Sequence, residues 1–154
     1  MEQTYKQPVS VLVVIYTQDL QVLLLERADH PGLWQSVTGS RDGEESLRQT
    51  AVREVEEETG LDAQCFRLDD WGYQNTFTIY PQWRHRYAPG VTENTEHVFG
   101  LVLPNVLPIT VSPREHLGYI WLAAEAAPEK CFSSSNAEAI KRLLKYIPLG
   151  GAPI

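Results

Sequence analysis

Four glutamates, an arginine and two glycines recur at characteristic spacings between residues 39 and 61. The segment reads GSRDGEESLRQTAVREVEEETGL, which fits G-x5-E-x7-R-E-U-x-E-E-x-G-U when U is an aliphatic residue. At an average usage of about 5–8% per residue type, such a match arises by chance in roughly 10⁻⁷ of chains of this length. Its carboxylates are oxygen ligands of the kind that bind hard divalent cations.

A helix is predicted over residues 46–59, which contain neither Pro nor Gly and are rich in helix-forming residues. Gly60 is placed to end it, because a helix commonly stops where a glycine adopts a left-handed conformation. Within the helix Glu54, Glu57 and Glu58 stand at i, i+3 and i+4, so their carboxylates share one face. The sequence therefore predicts a cluster of like charges on one side of this helix.

The acids of this segment outnumber the cations near them. Arg53 is the basic residue closest to the cluster, and we expect it to neutralise Glu57 alone. Glu45 lies at the junction of loop and helix and can fold back towards the first turn, whereas Glu56 points away and is expected to be solvated. Mutually repelling acids need a cation among them. Mg²⁺ fits best because it also bridges phosphates, with Mn²⁺ as a substitute.

The whole pattern resembles the Nudix box, the signature of hydrolases that cut a diphosphate linked to another moiety. The resemblance implies an α/β fold, the Nudix α/β/α sandwich with a mixed β-sheet. It implies a metal shell drawn from Glu54, Glu58, Glu57, Glu45 and Glu115. It implies catalytic roles for Glu54, Glu57, Glu58, Glu115 and Arg53. Glu115 lies outside the box, in the loop before the strand at 118–122, and Glu93 and Glu96 near Pro89-Gly90 are alternatives to it. Either Glu115 or a box glutamate takes the proton from water.

The entrance to the box departs from the usual Nudix pattern. Val37 and Thr38 stand where Pro-Gly is common, and Glu44 stands where another glycine is common. Because the acid spacing is intact, these departures affect the shape of the loop. Gly39 and Gly43 are expected to let the loop over residues 39–45 turn sharply and approach a ligand.

Composition limits the remaining possibilities. The chain has 154 residues, a net charge of −7 and 43% hydrophobic residues, which predicts one domain over residues 1–154 with a frayed tail at 148–154. The acidic charge argues against nucleic acid as a partner, and neither a membrane span nor a signal peptide is expected. Cys65 and Cys131 lack metal or redox spacing and are expected to be free thiols in the cytoplasm.

Strands and one further helix are predicted around the box. Apolar runs rich in β-formers predict strands at 9–16, 21–26, 33–37, 65–80, 95–103 and 118–122, with a loop at 83–94. A capping box over residues 135–138 opens a last helix. Its apolar face, Ile140, Leu143, Leu144 and Ile147, is expected to pack on the sheet opposite the box helix.

Residues outside the box resemble one branch of the family, the bacterial dihydroneopterin triphosphate pyrophosphatases of folate synthesis. The runs that carry this resemblance include WQSVTGS at 34–40 and HRYAPGVT at 85–92. It implies a small-molecule triphosphate as partner, cut to dihydroneopterin monophosphate and pyrophosphate. Two alternatives stay open, a nucleotide-pool pyrophosphatase acting on dATP or oxidised dNTPs, and a non-catalytic Nudix domain that binds a ligand.

The same resemblance implies substrate contacts outside the box. They are Lys6, Arg27, Thr38, Phe77, Thr78, Ile79, Tyr80, Glu115 and Ser133. Lys6 and Arg27 suit the triphosphate, and residues 77–80 suit a flat ring. Each has an ordinary structural alternative: a solvated cation, a strand-end hydroxyl, core aromatics, or a serine that caps a helix.

Overall fold

The computed structural model describes residues 4–146, so Ile147 and the tail predicted at 148–154 lie outside the described residues. Within residues 4–146 the sheet contains seven strands: β1 Val9–Thr17, β2 Gln21–Arg27, β3 Trp34–Gln35, β4 Val37–Ser40, β5 Arg67–Thr78, β6 Glu93–Leu103 and β7 His116–Ala123. The α-helices are α1 Leu47–Thr59, α2 Ala127–Lys130 and α3 Ser134–Tyr146, and short 3₁₀ turns span Ala63–Cys65 and Pro81–Arg86. None of the described helices is long and apolar enough to cross a membrane.

Strand β1 organises the mixed sheet that the sequence predicted. It runs parallel to β6 and antiparallel to β2 and β4, within the order β3-β2-β1-β6-β5. Strand β7 extends the sheet by pairing with β2. The continuous apolar run of β1 suits this central place, since its side chains are buried on both faces of the sheet.

Alternate residues of β1 face two separate cores. Val11 and Val13 pack with Val55 of α1, whereas Leu12 packs with Ile140 of α3. One helix therefore covers each face, and the predicted α/β/α sandwich is confirmed. The alternation of a strand thus assigns each residue of β1 to one side of the molecule.

The helix of the glutamate box begins and ends as its sequence predicts. Ser46 caps the N-terminus by accepting from the Gln49 backbone N–H, and the Gln49 side chain accepts from the Ser46 N–H. Gly60 ends the helix in a left-handed conformation, φ 77°, and donates its N–H to the Glu56 carbonyl at 2.9 Å. Both caps hold the acids in a defined register.

The strand expected at 33–37 and the loop expected at 39–45 are both corrected. The strand is interrupted at Ser36, whose backbone N–H donates to Oδ1 of Asn136 at 2.8 Å instead of joining the sheet. Strand β4 then continues through Gly39 and Ser40, because β1 offers them a partner in antiparallel register. The entrance to the box is therefore strand for its first two residues.

The boundaries of the other elements differ less from those that the sequence predicts. The segment at 65–80 forms one strand with a bulge at Gly72, φ 64°. The loop expected at 83–94 contains part of a 3₁₀ turn and the first residues of β6, and the short α2 was not predicted. Cys65 and Cys131 are free thiols, as expected.

The last helix starts earlier than its predicted capping box. Ser133 caps it, because the Asn136 N–H donates to the Ser133 hydroxyl at 3.2 Å. Ile140 and Leu143 are buried as predicted, but Leu144 is 36% exposed and Ala139 takes the buried position instead. The apolar stripe of α3 is narrower than the sequence indicates.

Leu143→Ala should lower the free energy of unfolding by about 2–5 kcal/mol, because it leaves a cavity in the core under α3. Leu144→Ala, on the neighbouring exposed position, should change it by roughly 0.5 kcal/mol. Urea unfolding of both variants checks this. Equal losses would contradict the burial pattern of α3.

Candidate active site

A cavity of about 490 Å³ opens beside the start of β6 and the start of α3. Its floor comes from Ser10 and Leu12 of β1 with Asn94 and Glu96 of β6. These four side chains share the α3 face of the sheet, because β1 and β6 are paired in parallel with Ser10 opposite Glu96. The volume lies in the range of small-molecule sites.

The cavity gathers residues that are widely separated along the chain. All the substrate positions implied by the family resemblance line it, namely Lys6, Arg27, Thr38, Phe77, Thr78, Ile79, Tyr80, Glu115 and Ser133. Of the box acids, Glu58 lines it as well. Glu45, Glu54 and Glu57 are not among its lining residues and lie behind Glu58 around Arg53.

Arg53 contacts three acids, so the expectation that it neutralises Glu57 alone is wrong. It donates to Glu45 at 2.7 Å and 2.9 Å and to Glu54 at 2.7 Å, whereas Glu57 is more distant at 3.3 Å. Glu45 folds back as predicted, and the hydrogen bond from Arg53 is the main reason that its pKa falls to about 2. The arginine thus ties the loop acid to the helix.

Glu54 and Glu58 form a desolvated pair of carboxyl groups. They are only 8% and 2% exposed, and burial is the main cause that raises the pKa of both. A hydrogen bond between them lowers the pKa of Glu54 and raises that of Glu58 further. The charge of Glu115 also raises the pKa of Glu58, while the Thr38 backbone N–H lowers it.

Strand β4 passes so close to this pair of carboxyl groups that position 39 has room only for a glycine. A Cβ atom built on Gly39 would stand 2.1 Å from Cδ of Glu54. The glycine was expected to allow a sharp turn, but it lies in a strand, and what it allows is the approach of the carboxyl group. Strand β4 and helix α1 thereby confine Glu54.

His116 lies beside Glu58 at the inner end of the cavity. It is 4% exposed, and its Nε2 is 3.7 Å from Oε1 of Glu58. Burial, followed by the charge of Arg27, lowers the pKa of His116 to about 4, so the ring is neutral at pH 7. No local sequence pattern predicts this contact, because it depends on the chain returning to α1 at His116.

The acids fit a divalent cation, although no three His, Cys, Asp or Glu side chains within residues 4–146 are already gathered as a metal site. Oε1 of Glu58 is buried and has no hydrogen-bond partner among those residues. The potential ligands around it are the carboxylates of Glu54 and Glu115 and the His116 imidazole, with no thiolate among them, and the carboxylate oxygens are the ligands that hard cations select. A cation there would favour the ionised forms that burial now disfavours.

Cations stand at the rim of the cavity. Arg27 donates to Asp29 at 2.7 Å and to Gln35 at 2.9 Å, and its guanidinium lies 4.4 Å from the Trp83 ring centre. The hydrogen bond from Arg27 is the main cause that lowers the pKa of Asp29 to about 2. Lys6 is exposed as a whole, yet loss of water around its ammonium group lowers its pKa.

An aromatic wall completes the cavity. Tyr80 and Trp83 meet edge to face with ring centres 5.4 Å apart, and Phe132 lies 6.0 Å from Trp83. Trp83 and Phe132 were missed from the sequence because they come from a loop and from the residue before the α3 cap. Two aromatic residues in otherwise polar connections were the available signal.

The NUDIX domain model matches residues 6–143. The chain therefore belongs to the Nudix family, and the hydrolase class and fold that its box implied are confirmed.

Among relatives, the dihydroneopterin triphosphate diphosphatase of Escherichia coli K12 is 48% identical over 146 residues, which is 93% of this chain and 96% of the relative. The Haemophilus influenzae protein of the same name is 43% identical over 144 residues, covering 91% and 89%. The solved structure of the E. coli dihydroneopterin triphosphate pyrophosphohydrolase matches with a TM-score of 0.86 and 48% identity, covering 93% of this chain and 99% of that one.

Gly39→Ala should reduce kcat/KM on the order of 10²-fold, because the new Cβ displaces the Glu54 carboxyl group. Stability should change little, since the displaced atoms are the end of a side chain. Gly118→Ala is the matched control, because nothing lies within 4 Å of its Cβ position. Steady-state kinetics with thermal unfolding checks both, and unaltered activity of the Gly39 variant would contradict the role given to this contact.

Proposed function

We propose that this Nudix hydrolase is a Mg²⁺-dependent pyrophosphohydrolase that converts dihydroneopterin triphosphate to dihydroneopterin monophosphate and pyrophosphate in cytoplasmic folate synthesis. The observation that carries the proposal is a cavity whose lining combines cations and the box acid Glu58 with an aromatic wall, with Arg27 lying against the Trp83 ring. A flat ring bearing a triphosphate is complementary to this lining, because its phosphates suit the cations and its ring suits the aromatic wall. The names of the E. coli and H. influenzae relatives support the same substrate. We further propose that residues 1–154 act as one Nudix domain.

In this proposal Glu54 and Glu58 hold Mg²⁺, or Mn²⁺ as a substitute, and Glu57, Glu45 and Glu115 complete the shell. When bound, the metal neutralises phosphate oxygens and lowers the pKa of the attacking water. Arg53 holds the acids in position through its contacts with Glu45 and Glu54. The exposed Glu57 has the loosest of these contacts and is free to turn towards a ligand.

The triphosphate chain is assigned to the cationic rim. Arg27 is already oriented by Asp29 and by the Trp83 ring, so little side-chain entropy is lost when its fork meets a phosphate. Lys6 adds a second cation, and Arg86 also lines the cavity there. These charges offset the negative charge of the substrate, which an enzyme with a net charge of −7 would otherwise repel.

The ring is assigned to the wall that includes Phe77, Thr78, Ile79 and Tyr80. Thr38 contributes at the entrance to the box, where its hydroxyl donates to the Val11 carbonyl at 3.0 Å and keeps lone pairs for accepting. Ser133 both caps α3 and faces the cavity, so its structural and substrate roles are compatible.

The proton from water is assigned to Glu115 or to a box glutamate. Glu115 is exposed and lines the cavity, so it can exchange its proton with solvent between turnovers. Glu58 is buried, and a cation beside it would stabilise its ionised form. A base must lie within hydrogen-bond reach of the reacting water, and both Glu58 and Glu115 line the cavity in which that water would stand.

Glu58→Gln should lower kcat by about 10²- to 10⁴-fold, because an amide can neither replace a metal-binding carboxylate nor accept the proton. The fold should persist, since the change is isosteric and removes a buried acid. Glu56→Gln, on the exposed side of the same helix, should leave turnover near normal. Pyrophosphate release with Mg²⁺ gives the rates, and near-normal turnover of the Glu58 variant would refute this site. Full activity without added divalent metal would refute the metal role.

The substrate assignment predicts a higher kcat/KM for dihydroneopterin triphosphate than for dATP, 8-oxo-dGTP or ADP-ribose. The preference should exceed about tenfold, since a ring site that forms several specific contacts discriminates by more than 1 kcal/mol. The four substrates are compared under one set of Mg²⁺ and pH conditions. Comparable values for all of them would refute a dedicated pterin enzyme, and ligand binding without any hydrolysis would indicate a non-catalytic domain.

A further inference from the structure

Glu96 is a buried acid in the cavity floor that the proposed hydrolytic mechanism leaves without a role. It is 5% exposed and lines the cavity next to the α3 N-terminus. Ser135 hydrogen-bonds its carboxyl group, but Oε1 has no partner within residues 4–146. Buried polar atoms are nearly always paired, so an acceptor left open inside a cavity indicates a ligand donor.

A second acceptor faces the same space. Asn94 is 3% exposed, its Nδ2 donates to the Ser10 hydroxyl at 2.7 Å, and its Oδ1 has no partner in the described part of the chain. Asn94 and Glu96 are two residues apart on β6 and therefore point to the same side of the sheet. The floor of the cavity thus presents acceptors, and its complement is a ligand edge rich in N–H groups.

The phosphate chain is excluded from this end of the cavity by charge. Arg86, Glu54, Arg27 and Glu58 each act electrostatically on Lys6, so these charges lie near one another. The pKa of Glu96 rises to about 7 because of burial, opposed by the hydrogen bond from Ser135. An ionised carboxylate repels phosphate, so we assign the ring of the substrate, and not its phosphate chain, to the Glu96 end.

We propose that Glu96 determines specificity for the ring, by accepting hydrogen bonds from the ring N–H and the adjacent amino group of a 2-amino-4-oxopyrimidine. Pterin and guanine share this edge of two neighbouring donors, which an ionised carboxylate meets with two acceptors. Adenine instead presents a donor beside an acceptor nitrogen, which a carboxylate does not match. The inference rests on the proposed function, since it concerns the ring end of the same cavity.

The pKa of Glu96 suits this role. Near pH 7 the free carboxyl group is about half ionised, and donors from a bound ring favour its ionised form. Only a modest free energy is then needed to ionise the group on binding. A permanently charged acid in this place would cost the free protein more, because burial penalises an unpaired charge.

The first experiment uses the wild-type enzyme and compares kcat/KM for dGTP, dITP and dATP. dITP keeps the ring N–H of dGTP but lacks its 2-amino group. We expect dGTP to exceed dITP by about tenfold, in line with the worth of a bidentate contact to a base edge. Equal values for dGTP and dITP would overturn the proposal, and no variant that might fail to fold is involved.

The second experiment repeats the comparison with Glu96→Gln, with Glu125→Gln as an exposed control of the same charge change. In the Glu96 variant the kcat/KM values for dGTP and dITP should lie within about threefold of each other. The loss of kcat/KM for dihydroneopterin triphosphate should appear mainly as a higher KM. The inhibition constant of dihydroneopterin, which carries no phosphate, should rise about tenfold or more. The Glu125→Gln control should have the same kinetic constants as the wild type.

Other results separate the competing explanations. If kcat/KM of the Glu96 variant fell equally for dGTP, dITP and dATP, Glu96 would have a structural role. If the variant needed a higher Mg²⁺ concentration for its half-maximal rate, Glu96 would be a metal ligand. Either result overturns the proposal. The proposed function is tested separately by the rate on dihydroneopterin triphosphate. It can fail while the dGTP-to-dITP ratio still depends on Glu96.

Discussion

The site depends on keeping two carboxyl groups close together and out of water. Glu54 and Glu58 lie on successive turns of α1, and burial raises the pKa of both. Folding alone would not favour such a pair, because two like charges in a dry site repel each other. Arg53 supplies one positive charge to Glu54, and Gly39 leaves room for its carboxyl group. The negative charge that Arg53 leaves uncompensated is what suits the site to a cation.

The central strand β1 separates the acids of α1 from the residues to which ring recognition is assigned. Odd residues of β1 pack towards α1, and even residues pack towards α3, so one strand supports both sides of the sandwich. Of the α1 acids Glu58 reaches the cavity, and Gly39 of β4 leaves room for the neighbouring Glu54. The ring end is built on the opposite face, from Ser10, Asn94 and Glu96. Changes in ring recognition can therefore leave the metal-binding helix undisturbed.

The parts of this structure that the sequence predicts are those governed by neighbours along the chain. The α1 helix, its caps and the shared face of its acids follow from spacing within about four residues per turn. The pairing of Arg53 with Glu45, the break at Ser36 and the aromatic wall at Trp83 and Phe132 do not. Each depends on a contact that reaches beyond one helical turn: Arg53 and Glu45 are eight residues apart, and Ser36 and Asn136 are one hundred residues apart. The family resemblance supplied the cavity residues that local patterns could not.

Glu58 and Glu96 illustrate how the surroundings of an acid determine its chemistry. Both are buried in one cavity, and burial is the first cause that raises the pKa of each. Glu58 has acids as neighbours, so its repulsion is relieved only by a positive charge. Glu96 has a serine hydroxyl and an amide nearby, so a neutral donor can satisfy it at little electrostatic cost. The same side chain thus suits a metal among the box acids and a hydrogen-bonding ring at the cavity floor, and we propose that this difference orients the substrate.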